Sequence, residues 1–239
     1  MDLRISDAQP TAEERQAIDA LLGAPSSGWD GGTRDPVRDT HVAFGGHDAR
    51  AKRHLLLPAL QAAQSRVGWL SEGALNYVCT RLSVPPADAW GVATFYALFS
   101  TTPRPKRVLH VCDDIACKCA GADKLIADLE RAVGPAYHAP KGNHVEVADS
   151  TWVRSPCLGM CDQAPAALVQ QFGPALEERL IASATLDVLK SVLGGAFGAD
   201  AVLGGGSAAD LSSSPTRLLT RRVGTVDPTS TIFPWKSPL

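Results

Sequence analysis

Arg107-Val108-Leu109-His110-Val111-Cys112-Asp113-Asp114-Ile115-Ala116-Cys117-Lys118-Cys119 is the stretch whose reading decides the fold. Val108, Leu109, His110 and Val111 form a short apolar run that reads as a strand delivering Cys112. The period then changes, and Leu125, Ile126, Leu129 and Val133 recur at helical spacing between Ala122 and Val133. Strand, cysteine loop, helix is therefore the local order. A helix start that faces the loop presents free N–H groups and the positive end of its dipole, which favours a negatively charged group there.

A second cysteine loop, Cys157-Leu158-Gly159-Met160-Cys161, follows a further extended piece from Thr151 to Arg154. The gap between Cys112 and Cys117 lets the chain make one loop and return both sulfurs to the same small volume. The shorter gap at Cys157 and Cys161 does likewise, and Gly159 permits the positive φ that such a turn uses. Two loops of this kind, distant in sequence and adjacent in space, make a four-sulfur cage. Four thiolates suit a [2Fe-2S] cluster, and tetrahedral sulfur geometry also suits zinc.

The opening residues Met1-Asp2-Leu3-Arg4-Ile5 contain no apolar signal region, so secretion is not expected. In a reducing compartment, clustered cysteines bind metal or do redox chemistry more often than they form structural disulfides. The 239 residues hold 23 Lys and Arg against 25 Asp and Glu, a formal net charge of -2, which offers no positive field for nucleic acid. No run reaches the roughly 18 apolar residues a membrane span needs.

The rest of the chain reads as a helical half, an α/β half and loose ends. Thr11-Ala12-Glu13-Glu14 is a capping-box start, and Ile18, Leu21 and Leu22 follow until Gly23 and Pro25 end that helix. From Ser26 to His47 the composition turns to Gly, Asp, Arg and Pro without periodicity and reads as a linker. Leu56, Leu60 and Ala63 form one helical stripe, with Pro58 expected in a first turn or at a kink. Ser71 caps a second helix through Ala74, Leu75, Val78 and Leu82. Pro86 suits the first turn of a third, carrying Trp90, Ala93, Phe95, Tyr96 and Phe99. The aromatic residues Phe95 and Tyr96 are expected in the core, and Cys79 is expected to be a packing residue. His144 to Val147 and Ala167 to Gln170 read as further extended pieces. A last helix starting at Ser183 or Thr185 carries Leu186, Leu189 and Val192 and closes at Gly194 and Gly195. A Gly, Ala and Ser-rich segment up to Ser214 reads as a flexible linker.

The expected fold is thus α/β, a small N-terminal helical bundle followed by an α/β unit of thioredoxin size, with flexible extensions at both ends. The divisions are 1–50 for the first helix and linker, 51–102 for the bundle, 103–195 for the α/β domain and 196–239 for the linker and tail. No Gly-rich dinucleotide fingerprint, P-loop or Ser/His/Asp constellation is present, so nicotinamide and flavin sites are expected elsewhere.

Leu57-Pro58-Ala59-Leu60, Gly91-Val92-Ala93-Thr94-Phe95-Tyr96, the Cys112 and Cys117 pair and Cys157-Leu158-Gly159-Met160-Cys161 resemble one family. It holds the E subunit of NADH:quinone oxidoreductase, the small diaphorase subunit of NAD-reducing hydrogenases and the gamma subunit of NAD-dependent formate dehydrogenases. The resemblance runs from about Ala51 to Leu193. It implies a thioredoxin-like [2Fe-2S] ferredoxin domain, with the family's four cysteines at Cys112, Cys117, Cys157 and Cys161. It further implies a subunit without a substrate site of its own, which passes single electrons to or from a flavoprotein subunit carrying FMN and NAD(H), alongside further iron-sulfur subunits. A cytoplasmic location, or one peripheral to a membrane complex, follows from the same likeness.

Cys119 departs from that pattern as a fifth thiol, and is expected to coordinate nothing because four thiolates already saturate the cluster. His110 and His144 fall nearest the cage in sequence, but four cysteines leave no vacancy for the two histidines of a Rieske centre. Arg217-Leu218-Leu219-Thr220-Arg221-Arg222-Val223-Gly224-Thr225-Val226-Asp227-Pro228 looks like the lead-in segment of the flavin-binding partner, with Ile232, Phe233 and Trp235 as apolar anchors. Two other readings of the residues remain: a structural four-cysteine zinc module that mediates interaction, and a thiol-disulfide oxidoreductase, which would lack its C-x-x-C dithiol.

Overall fold

Local sequence chemistry sets the first helix. Thr11 Oγ1 accepts from the Glu14 N–H at 3.2 Å while Glu14 Oε2 accepts from the Thr11 N–H at 2.8 Å, closing the capping box that starts α1, Ala12–Leu22. The computed structural model describes residues 7–33, 50–137 and 149–195, all of them within the unit Met1–Leu203. The expected strand at His144 to Val147, most of the linker before His47, and the tail with Arg217 to Pro228 and its apolar anchors lie outside the described residues.

Three more helices follow in the N-terminal half. Helix α2 spans Leu56–Val67 with Pro58 in its first turn, where a missing N–H costs no helical hydrogen bond, and it ends on Gly68 at φ 93°. Helix α3, Glu72–Leu82, starts where Ser71 Oγ accepts from the Ala74 N–H at 3.0 Å, and α4, Pro86–Phe95, begins with proline. Their shared core holds Leu60, Ala63, Ala74, Val78, Leu82, Ala89 and Ala93, and α1 joins it through Ile18 and Leu22. Each large aliphatic side chain fully removed from water here contributes roughly 1.5–3 kcal/mol before entropy is counted. Cys79 lies in this core as expected, and burial, together with the Asp88 charge, pushes its thiol up to about 11.

The aromatic run on α4 corrects the sequence expectation. Phe95 is 80% exposed, Trp90 53% and Tyr96 46%. The buried stripe of this helix is Ala89 and Ala93, an i, i+4 pair whose small side chains turn inward while the bulky residues are carried to the opposite side. The helix also stops at Phe95, so Phe99 packs on the bundle from the following turn and not from the helix itself. Of the stretch from Ser26 to His47 the described part is residues 26–33, and it holds a short regular turn. Gly28–Asp30 makes a 3-10 turn, and the Asp30 carboxylate accepts from the Ser26 and Ser27 N–H groups at 2.9 and 2.8 Å.

The second half is a four-stranded mixed sheet. Strand β1 is Arg107–Cys112, followed by a short helix α5, Ile115–Cys119, and by α6, Ala122–Val133. Then come β2, Ser150–Ser155, β3, Ala167–Gln171, β4, Glu177–Ile181, and α7, Leu186–Leu193. The spatial order is β2-β1-β3-β4. β1 runs parallel to β2 (Leu109 beside Trp152) and antiparallel to β3 (Leu109 beside Val169), and β3 and β4 are antiparallel (Val169 beside Arg179). A parallel neighbour needs a crossover, and α6 lies within it.

Alternation along the strands gives the sheet two faces. Leu109, Val111, Ala167, Val169 and Ile181 pack with Leu125, Ile126 and Leu129 of α6 and Leu189 and Val192 of α7. Val133, expected in this core, ends α6 largely exposed. The opposite face carries His110, Leu168 and Gln170, and Leu168 and Gln170 help line a cleft of about 600 Å³ with Leu57, Gln64 and Phe99 of the helical half.

Hydrogen bonds from Arg104 and Gly173 fasten the two halves. Arg104, buried, donates to the carbonyl oxygens of Gly68 (2.7 Å) and Leu98 (3.1 Å), while its guanidinium lies 5.0 Å from the centre of the Phe172 ring. The Gly173 N–H donates to Ser65 O at 3.1 Å. The described residues thus form a helical bundle followed by an α/β domain built on a four-stranded mixed sheet.

Candidate metal centre

The site is built where strand ends meet. β1 delivers Cys112 at its last residue, and the chain turns at once into α5, which carries Cys117 and Cys119. β2 ends at Ser155, and the loop behind it carries Cys157 and Cys161 around Gly159, whose φ is 80°. Backbone hydrogen bonds pull the pieces together: the Cys112 N–H donates to Ala166 O and the Asp113 N–H to Ser155 O, both at 3.0 Å. Ala122, at the start of α6, packs with Cys112, Cys117 and Ala166. The beginning of that helix therefore faces the cysteine loop, as its dipole and the position of its free N–H groups suggested.

The sulfurs of the second loop come together as a pair, Cys157 Sγ and Cys161 Sγ lying 3.3 Å apart, while Cys112 and Cys117 share one buried cluster with Ala122 and Ala166. Cys112 and Cys117 are buried, whereas Cys157 and Cys161 are exposed. Burial raises the Cys117 thiol, and contact with Cys112 and the nearby Cys161 adds to the rise; a backbone hydrogen bond from Ala166 works the other way. The Cys161 thiol is raised chiefly by its hydrogen bond to Cys157 and by that neighbour's charge, with burial and then Cys112 and Asp114 contributing less. Thiols packed this closely resist losing their protons to one another, and a bound cation removes that penalty. By its chemistry a set of four thiols suits a thiolate-ligated metal group, while among the described residues no three His, Cys, Asp or Glu side chains are grouped closely enough to hold a metal ion. One of the sulfur atoms already meets a backbone N–H donor, Cys157 from Gly159 at 3.4 Å.

The remaining candidates divide clearly. Cys119, at the end of α5, is exposed, and the Cys157–Cys161 sulfur pair forms without it. All six cysteines are free thiols. His110 is buried on β1 and turned to Gln170 Oε1 at 3.0 Å; burial, helped by the Arg104 charge, pushes its imidazole down to about 4, so it is neutral near pH 7. His144 lies outside the described residues.

Two features escaped the sequence reading. Asp114, the N-cap of α5, has its carboxylate within hydrogen-bond distance of both cysteine loops, and an Asp ahead of a cysteine-bearing turn was the available signal. The cleft beside Cys157, with Leu158 and Pro156 on its wall, had no signal because its lining comes from segments far apart in sequence.

Comparison with known proteins gives the family. The sequence model of the thioredoxin-like [2Fe-2S] ferredoxin family matches residues 45–192. The E subunit of NADH-quinone oxidoreductase from Pseudomonas aeruginosa is 30% identical over 125 residues, which cover 52% of this chain and 72% of that protein. Its counterpart of the same name from Escherichia coli K12 is 28% identical over 125 residues, covering 52% and 73%. Among solved structures, the NAD+-reducing [NiFe]-hydrogenase in its air-oxidised state is 27% identical, with a TM-score of 0.44 over 59% of this chain and 22% of the hydrogenase chain. From the extent of the family match and the relatives that share it, the chain belongs to the thioredoxin-like [2Fe-2S] ferredoxin family.

Proposed function

We propose that this chain is an electron-transfer subunit in which Cys112, Cys117, Cys157 and Cys161 hold one [2Fe-2S] cluster. It exchanges single electrons with a flavoprotein subunit that carries FMN and NAD(H), within an NAD(P)-linked oxidoreductase of the NADH dehydrogenase, formate dehydrogenase or hydrogenase type. The observation that carries the reading is the close Cys157–Cys161 sulfur pair on a loop whose Leu158 and Met160 pack against the buried cluster of Cys112 and Cys117. A two-iron cluster takes two thiolates at each iron, whereas a single zinc ion gathers all four about one point.

When bound, the cluster supplies a one-electron redox centre. The chain's own part is to hold it and set its environment. The N–H of Gly159 and the start of α6 direct partial positive charge at the sulfurs, which favours the more negative reduced state. Leu158, Met160 and Ala164 pack against the buried cysteines and limit water on that side. Cys157 and Cys161 remain on the exposed side, which suits electron exchange with a partner.

The redox role belongs to 103–195, with the bundle of 51–102 behind it and the tail of 196–239 as a partner-docking segment. Location in the cytoplasm, or on the peripheral part of a membrane complex, is consistent with the names of the relatives. No helix among the described residues is long and apolar enough to cross a membrane. Purification of the chain with its native partners tests the whole reading. Iron and acid-labile sulfide in equal amounts, together with a flavin-bearing partner, are expected. Zinc without iron in the freshly isolated complex would overturn it.

A further inference from the structure

Asp114 links the two cysteine loops through one side chain. Its Oδ1 accepts from the Ile115 N–H at 2.7 Å, at the start of the helix that carries Cys117, and its Oδ2 accepts from the Cys157 N–H at 3.2 Å. Its own carbonyl oxygen accepts from the Lys118 N–H at 2.9 Å, the first turn of the same helix. Both carboxylate oxygens are thus engaged, one on each cysteine-bearing segment. A five-residue helix has little stability of its own, and a loop built around a glycine is loosely held, so a shared anchor limits the freedom of both. The residue is only half-buried, and among the described residues no ion pair neutralises its carboxylate.

We propose that Asp114 is a positioning residue for the cluster: its carboxylate staples the Cys112–Cys119 segment to the Cys157 loop, and its fixed negative charge lowers the reduction potential of the bound group. The inference rests on the reading of the four cysteines given above. Charge-assisted hydrogen bonds to backbone N–H groups are among the stronger ones, so the staple contributes to ligand spacing and not only to solvation. Reduction adds negative charge, and a carboxylate held between the loops opposes it.

The test compares wild type, Asp114→Asn, Asp114→Ala and Asp114→Glu in the full chain, isolated with its partners. Three quantities are read: iron content, the rate of iron release to a chelator, and the midpoint potential by EPR-monitored titration. Loss of both hydrogen bonds in Asp114→Ala is expected to speed iron release about tenfold or more, the equivalent of one charge-assisted bond. Asp114→Asn, nearly the same size but uncharged, is expected to shift the potential upward. Asp114→Glu, which keeps the charge, is expected to stay closer to wild type in potential. A residue that merely capped α5 would alter stability and leave the potential where it was. An iron-loaded wild type whose Asn and Ala variants match it in both potential and iron release overturns this inference alone. A wild type without iron overturns the cluster reading and this inference with it.

Discussion

Cys157 and Cys161 place their sulfur atoms 3.3 Å apart across a turn made by Gly159, while Cys119 stands exposed at the end of α5. The close sulfur pair does not involve Cys119. Replacement of Cys112, Cys117, Cys157 or Cys161 by Ala is expected to abolish or strongly reduce bound iron, because each removes one of the four terminal ligands. Cys119→Ala should keep the wild-type iron content. Iron analysis of the five variants checks this, and the ligand set is wrong if Cys119→Ala loses iron while Cys117→Ala retains it.

Two helical glycines are expected to behave in opposite ways. A Cβ at Gly73, in the first turn of α3, would stand 2.1 Å from Gln9 O and 2.6 Å from Pro10 N, both backbone atoms, whereas at Gly91 it would meet nothing within 4 Å. Gly73→Ala should therefore cost roughly 1–3 kcal/mol by forcing the N-terminal segment off α3. Gly91→Ala should stabilise the isolated chain by up to about 1 kcal/mol, because alanine loses less backbone entropy in a helix. Chemical denaturation of the two variants measures both. Gly91→Ala as harmful as Gly73→Ala would contradict the packing described for α4.

Asp30 gives a pH dependence with a definite sign. Burial alone would raise its carboxyl, but hydrogen bonds from the Ser26 and Ser27 backbone, the Ser26 hydroxyl and the Arg81 charge together outweigh it and hold the group below its ordinary value. A depressed carboxyl stabilises the folded state above its unfolded value near 3.8. That contribution is lost as pH falls through the lower folded value. Asp30→Asn should be less stable than wild type at about pH 6, and the gap should shrink at about pH 3. Denaturation midpoints at the two pH values decide it, and a gap that widens in acid would contradict the assigned role.

Much of this was legible in the sequence because it depends on local chemistry. The capping box at Thr11 and Glu14, the Ser71 cap, Pro86 at a helix start and the strand ending at Cys112 all followed from residue types at fixed spacing. The closeness of Cys157 and Cys161 followed from loop spacing. Tertiary context governed what was missed. α4 buries its alanines and exposes Phe95, a choice that depends on how closely it approaches its neighbours. β4, Glu177–Ile181, is a charged edge strand whose Glu177, Glu178 and Arg179 hide any alternation. α5 is too short for a periodic pattern, and only its Asp114 cap and the long-range hydrogen bond to Cys157 show why it forms.

The central claim is that four cysteine sulfurs hold a pair of irons able to accept one electron. EPR of the intact complex after chemical reduction addresses it most directly, with this chain's signal identified by its loss in the Cys161→Ala variant. The account predicts a [2Fe-2S] signal that appears on reduction, persists in Cys119→Ala and disappears in Cys161→Ala. A reduced complex whose spectrum is the same with and without Cys161 would contradict it.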